Sequence, residues 1–172
     1  QTATTPKEAI ALVEALGERT GLMRIYAAID VVERHHQTNR TTAAIGLGMG
    51  GSFAFDMAIS RDDIEGVVAF AGFPQRNFGH FSRCKIPVLA LYGSQEPHVN
   101  QAVIERLKNE LAQSPAAASH KVQVIEGLGH DFFSEQVDDP YQQHSRQALM
   151  ETMQFLEKFL KPPSKRPLTR TY

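Results

Sequence analysis

Apolar residues change their spacing several times along this chain, and each change marks an element. IEGVVAFAG at 64–72 is almost unbroken in its apolar character, and IPVLALYG at 86–93 repeats it. Short unbroken runs suit strands covered on both faces of a sheet. Pro87 falls near the start of the second run, where its missing N–H is tolerated. TTAAIG from residue 41 and KVQVIEG at 121–127 read as two shorter companion strands. Between and around them the spacing turns helical. Helices are expected over 50–60, 99–114 and 141–160, the last with Ala148, Leu149, Met153, Phe155, Leu156 and Phe159 on its apolar side. Near the amino end, Thr5-Pro6-Lys7-Glu8 combines an N-cap threonine, a proline in the first turn and a glutamate three residues after the cap. Ala9, Leu12, Val13 and Leu16 continue that helix to Gly17. A second helix is expected from Gly21 to His36, with Leu22, Ile25, Tyr26, Ile29, Val31 and Val32 as a broad stripe. His35 and His36 would then sit in its last turn, where the helix dipole favours a cation.

Strands that alternate with helices predict an α/β fold, a parallel sheet with helices on both faces. A single domain over 1–160 accounts for all these elements. KPPSKRPLTRTY, from Lys161 to Tyr172, has no acidic residue and three prolines, and reads as a flexible basic tail. A formal net charge of −1 gives the body no basic field for nucleic acid. Cys84 is the single cysteine, which excludes an internal disulfide and points to a reducing, cytoplasmic setting. No apolar run is long enough to cross a membrane.

In an open parallel sheet the chemistry gathers beyond the carboxyl ends of the strands. After the first strand comes Gly46-Leu47-Gly48-Met49-Gly50, which follows the pattern G-x-S-x-G of a nucleophile elbow except that Gly48 stands where serine would. After the third comes GSQEPHV with Glu96, and after the fourth GLGHDFF with His130. Nucleophile position, acid and histidine in that order suit a triad in which the carboxylate fixes the imidazole and the imidazole serves as base. Each residue also has a plainer reading: a packing turn, an exposed acid near a helix start, a loop histidine. Met49 and Gly50 open the following helix, and their N–H groups suit an oxyanion or other anion.

Gly46, Gly48 and Gly51 satisfy the dinucleotide spacing G-x-G-x-x-G, but the carboxylate that should close the next strand is absent and Glu65 lies at that strand's start. No cofactor is expected. Ser52 lies one turn beyond the tip and should point into the helix packing. Cys84, ahead of the third strand, reads as a buried structural thiol. The histidines other than His98 and His130, including the His35-His36 pair, show no metal spacing with a carboxylate or cysteine, and no metal is expected.

GLGMGG at the turn, IPVLALYGSQEPHV at the third strand and GLGHDFF at the histidine loop together resemble the C-terminal part of an α/β-hydrolase, closest to the dienelactone hydrolase family. The resemblance runs from about Gly21 to Leu160. It implies an α/β-hydrolase sheet lacking its N-terminal strands, a nucleophile position at Gly48, an acid at Glu96 and a base at His130. It also implies a small acyl, ester or lactone ligand. With glycine at the tip, covalent hydrolysis is expected to be slight or absent. The alternatives are an active ester or lactone hydrolase, using water in place of the nucleophile or carrying an introduced glycine, and a non-catalytic scaffold. A homo-oligomer or protein partner would suit an exposed sheet edge. In the loop from Gly72 to Lys85, Phe73, Phe78 and Phe81 are expected either to wall an acyl pocket or to cap the sheet edge. Arg76 is placed to meet a carboxylate there, and His98 lines the same mouth.

Overall fold

In the computed structural model of the chain, residues 2–130 and 139–160 are described; the expected basic tail at 161–172 and the residues that follow His130 lie outside them. The side chains of residues 6, 10, 13 and 139–143 are outside as well. The described residues form two compact units that divide between Arg40 and Thr41.

The first unit holds α1 (Pro6–Leu16) and α2 (Glu18–Arg34). The capping box forms as the sequence suggests. Thr5 Oγ1 accepts the Glu8 N–H at 3.3 Å, while the Glu8 carboxylate accepts the N–H groups of Thr4 and Thr5 at 2.8 and 3.2 Å. Gly17, at φ +70°, joins the two helices without a longer loop. The stripe on α2 is narrower than expected. Gly21 and Ile29 are buried, whereas Val31 and Val32, in the last turn of the helix, are exposed. The helix also closes earlier, at Arg34. His35 is extended at ψ 133° and stacks on His36 at 4.6 Å, so neither lies within the last turn.

The second unit is a four-stranded parallel sheet in the order β1-β2-β3-β4, made of β1 (Ala43–Leu47), β2 (Gly66–Phe70), β3 (Val88–Gly93) and β4 (Lys121–Ile125). Three helices accompany it: α3 (Met49–Ser60) after β1, α4 (Gln101–Leu111) after β3 and α5 (Asp139–Phe159) after β4. β2 and β3 are buried at every position, as their unbroken apolar runs require. On one face Val68, Phe70, Leu89, Leu91 and Ile125 pack with Ala148 and Phe155 of α5. Their alternates Val67, Ala69, Val88 and Ala90 are fully buried on the other face, and α3 lies against β1 and β2. β1 is an outer strand, and Ile45 and Leu47 on it are exposed.

The sheet is fastened at both ends. At the amino end, Val88 N–H donates to His120 Nδ1 at 3.1 Å, and His120 Nε2 lies 2.6 Å from Ser114 Oγ. Burial pushes the His120 imidazole down to about 4, so the ring is neutral at ordinary pH. At the carboxyl end, the buried Tyr92 hydroxyl donates to the Gly72 carbonyl at 2.9 Å and holds the chain where it leaves β2. Among the described residues no helix is long and apolar enough to cross a membrane.

Candidate active site

A single residue turns the chain from β1 into α3. Gly48 adopts φ +51° and ψ −113°, and its N–H donates to the Phe70 carbonyl at 2.8 Å, which locks the turn over the end of β2. So sharp a turn brings α3 down on the strand before it. A Cβ at Gly46 would lie 2.0 Å from the Gly50 carbonyl oxygen, so the first glycine of the pattern is a steric requirement. Gly48 is different. A Cβ there would stand in ordinary contact, 3.4 Å from His130 Nε2. The tip therefore aims an absent side chain at the imidazole. Behind it, Ser52 N–H makes the first bond inside α3, to the Gly48 carbonyl at 3.3 Å; the N–H groups of Met49, Gly50 and Gly51 precede that bond at the positive end of the helix.

Glu96 and His130 reach the tip from two loops that hold each other. Ser94 N–H bonds the Ile125 carbonyl at 2.9 Å and Gln95 N–H bonds the Leu128 carbonyl at 2.9 Å. Ser94 Oγ accepts the Gly127 N–H at 3.0 Å and donates to Glu126 at 3.0 Å. Within this frame Glu96 Oε2 lies 2.8 Å from His130 Nδ1, and Oε1 accepts the His98 N–H at 2.9 Å. The Glu96 side chain is 1% exposed and that of His130 29%, so the carboxylate is the fixed partner and the ring faces the opening. A tautomer that gives its Nδ1 proton to the carboxylate presents the Nε2 lone pair toward Gly48. The Glu96 charge, after burial itself, also holds the Tyr92 phenol above its ordinary range and keeps it a hydrogen-bond donor.

Phe73 completes the wall. Its ring centroid is 5.9 Å from that of His130 and 6.2 Å from that of His98, which in turn meets His130 edge-on at 5.1 Å. Ser52 fixes Phe73 through Oγ, which accepts the Phe73 N–H at 3.0 Å; this buried hydroxyl serves packing, as its place on the helix suggests.

Other residues of the loop are used differently. Arg76 pairs with Asp56 of α3 and lies over the Phe53 ring at 5.3 Å, and Asn77 donates to the other Asp56 oxygen at 2.7 Å. The carboxylate that Arg76 meets is thus one of the protein's own. Phe81 is fully buried, edge-on to Phe55 at 5.4 Å, and Phe78 packs on Phe81 with the Arg106 guanidinium 4.0 Å above it. Of the three phenylalanines, Phe73 is the one in ring contact with His130. At the amino end of the sheet, the wrong end for a ribose, the Glu65 N–H donates to the Thr42 carbonyl and the Glu65 carboxylate accepts the Thr42 N–H. Burial raises the Cys84 thiol to about 12, which removes it as a nucleophile.

One grouping escaped the sequence. Glu96, His98 and His130 each bring a ligand atom within 4.8 Å of the others, a grouping that the sequence does not announce. Glu96-x-His98 is visible as a spacing, but nothing local ties it to a histidine 34 residues beyond Glu96.

The sequence profile of the dienelactone hydrolase family matches residues 1–160. No curated protein matches the chain. Among solved structures it is similar to a dienelactone hydrolase-like promiscuous phosphotriesterase from metagenomic libraries, at 21% identity and TM-score 0.69, over 87% of this chain and 66% of that one. It is similar also to a dienelactone hydrolase from Anabaena variabilis, at 19% identity and TM-score 0.68, over 92% and 70% of the two chains. A predicted CIB-like hydrolase from Thermoplasma acidophilum shares 18% identity at TM-score 0.59, over 80% and 57%. The chain thus spans 57% to 70% of the length of these structures, and at such identities the likeness concerns the fold.

Proposed function

This chain belongs to the dienelactone hydrolase family, and from that premise we propose that it is an α/β-hydrolase scaffold with a vacant nucleophile elbow, one that binds small acyl, ester or lactone compounds with little or no covalent hydrolysis. The observation that carries the reading is the aim of the tip: an added Cβ at Gly48 points at His130 Nε2 from 3.4 Å, while Nδ1 of the same ring is held by Glu96 at 2.8 Å. On this reading the chain keeps a nucleophile position, a base and an orienting acid and lacks the nucleophile. Met49 and Gly50, at the start of α3, are the donors for a carbonyl oxygen or carboxylate. Phe73 and His98 form the wall against its acyl part.

A second reading has an observation of its own. Nε2 faces a residue without a side chain, which leaves space for a water that the imidazole could deprotonate for direct attack on a bound ester. That path forms no acyl-enzyme.

Covalent labelling separates the two from an ordinary hydrolase. A fluorophosphonate probe should leave the mass of the parent chain unchanged and add one adduct, at position 48, to Gly48→Ser. An adduct on the parent chain contradicts a vacant elbow.

A further inference from the structure

Helix α5 is apolar on two sides, and the sheet covers one of them. Ala148, Thr152 and Phe155 are buried on the side toward the sheet, with Leu156 and Phe159 packed against the same core. At about 100° per residue, positions 146, 150, 153 and 157 fall within about 60° of one another on the opposite side. There Met150 and Met153 are 61% and 51% exposed, with Leu149 beside them at 49%. Arg146 and Glu157, both exposed, stand at the two ends of the row, and neither has an ion-pair partner among the described residues.

We propose that this outer face of α5 pairs with the same face of a second copy of the chain, the two helices running antiparallel about a two-fold axis. The inference goes beyond the proposed function and does not rest on it.

The order of the residues argues for a second copy. From Arg146 the row steps by four, three and four residues to Met150, Met153 and Glu157, which is the spacing of a helix seam. Read backwards the steps are the same and the charges are exchanged. An antiparallel copy whose axis passes between Met150 and Met153 therefore sets Arg146 against its Glu157 at both ends, and Met150 against its Met153 in the middle. Eleven positions separate the two charges, so the ion pairs stand about 16 Å apart with the methionines between them. A parallel arrangement brings arginine to arginine and glutamate to glutamate, and like charges oppose it. The charges thus select one orientation, and a patch that meets itself across a two-fold axis closes as a dimer. Ion pairs at such a rim add little energy, and burial of Leu149, Met150 and Met153 supplies the attraction. Methionine suits this role because its unbranched thioether adapts to the side chains it meets.

The experiment is sedimentation equilibrium of the parent chain up to about 500 μM, beside Arg146→Glu, Glu157→Arg, the double variant that carries both changes, and Ile45→Lys on the outer strand β1. The patch is small, so the expected result is a weak dimer that dissociates at roughly 10–100 μM. Each single reversal sets like charges together at both ends and should weaken the dimer at least about fivefold, whereas the double variant should restore it. Ile45→Lys should leave it unchanged. A parent chain that stays monomeric overturns the proposal, and so does a dimer that the single reversals leave intact or that the double variant fails to restore. Loss of the dimer in Ile45→Lys with the reversals unaffected places the contact at the sheet edge and equally overturns it. If a reversal does not fold, Met150→Lys decides: it should abolish the dimer, and a dimer that survives it overturns the proposal.

Discussion

Replacing Gly48 by alanine should destabilise the protein even though there is room for the methyl group. The nearest atom a Cβ at 48 would meet is His130 Nε2 at 3.4 Å, an ordinary contact, so the penalty is one of backbone alone. At φ +51° and ψ −113° an L side chain is strained, and residues held in such regions cost about 1–3 kcal/mol. The same change at Gly50 supplies the control. It lies in the first turn of α3, has no positive φ, and its Cβ would meet nothing within 4 Å. There alanine should stabilise by about 0.4–1 kcal/mol, because it restricts the unfolded chain. Urea unfolding followed by circular dichroism, with m held common to the three proteins, reads both signs in one experiment. If Gly48→Ala is neutral or stabilising, the tip does not hold the elbow conformation, and the argument that a side chain there would face His130 fails with it.

Stability should also depend on pH through His120. Its folded value of about 4 lies below the ordinary 6.5, so the unfolded chain takes up the proton first and stability is lost as pH falls from about 6.5 toward 4. The gap corresponds to about 3.4 kcal/mol at most, and solvent reaching the half-buried ring reduces this to roughly 1–2 kcal/mol. His120→Asn, which keeps an acceptor for the Val88 N–H, should flatten that slope in urea titrations between these pH values; an unchanged slope assigns it elsewhere. Gly46→Ala should prevent stable folding, since its methyl would sit 2.0 Å from the Gly50 carbonyl oxygen; a variant that melts with the parent contradicts the tight approach of α3 to β1.

Much of the fold was legible because burial on two faces leaves an unmistakable trace. The runs at 64–72 and 86–93 became β2 and β3 at the centre of the sheet. The elbow was legible too, because sterics demand Gly46 whatever sits at the tip. Long-range pairings were not. Arg76 was correctly placed in the loop after β2, yet its partner is Asp56, 20 residues earlier on α3, and no local spacing announces that pair. Phe78 and Phe81 look alike in sequence to Phe73, but the short 3-10 turns at 75–77 and 81–83 send the three rings to different neighbours. His98 was expected at the same mouth, but its edge-on contact with His130 depends on the backbone bonds that join the two loops.

The central claim is that base and acid remain assembled around a vacant nucleophile position. Hydrolysis of a short activated aryl ester by the parent chain, Gly48→Ser and Gly48→Cys tests it most directly. The account predicts that at least one variant releases phenolate in repeated turnovers, well above the parent, with a further loss when Glu96→Ala is added. If both folded variants stay as silent as the parent, Glu96 and His130 are not poised for catalysis, and the claim is contradicted.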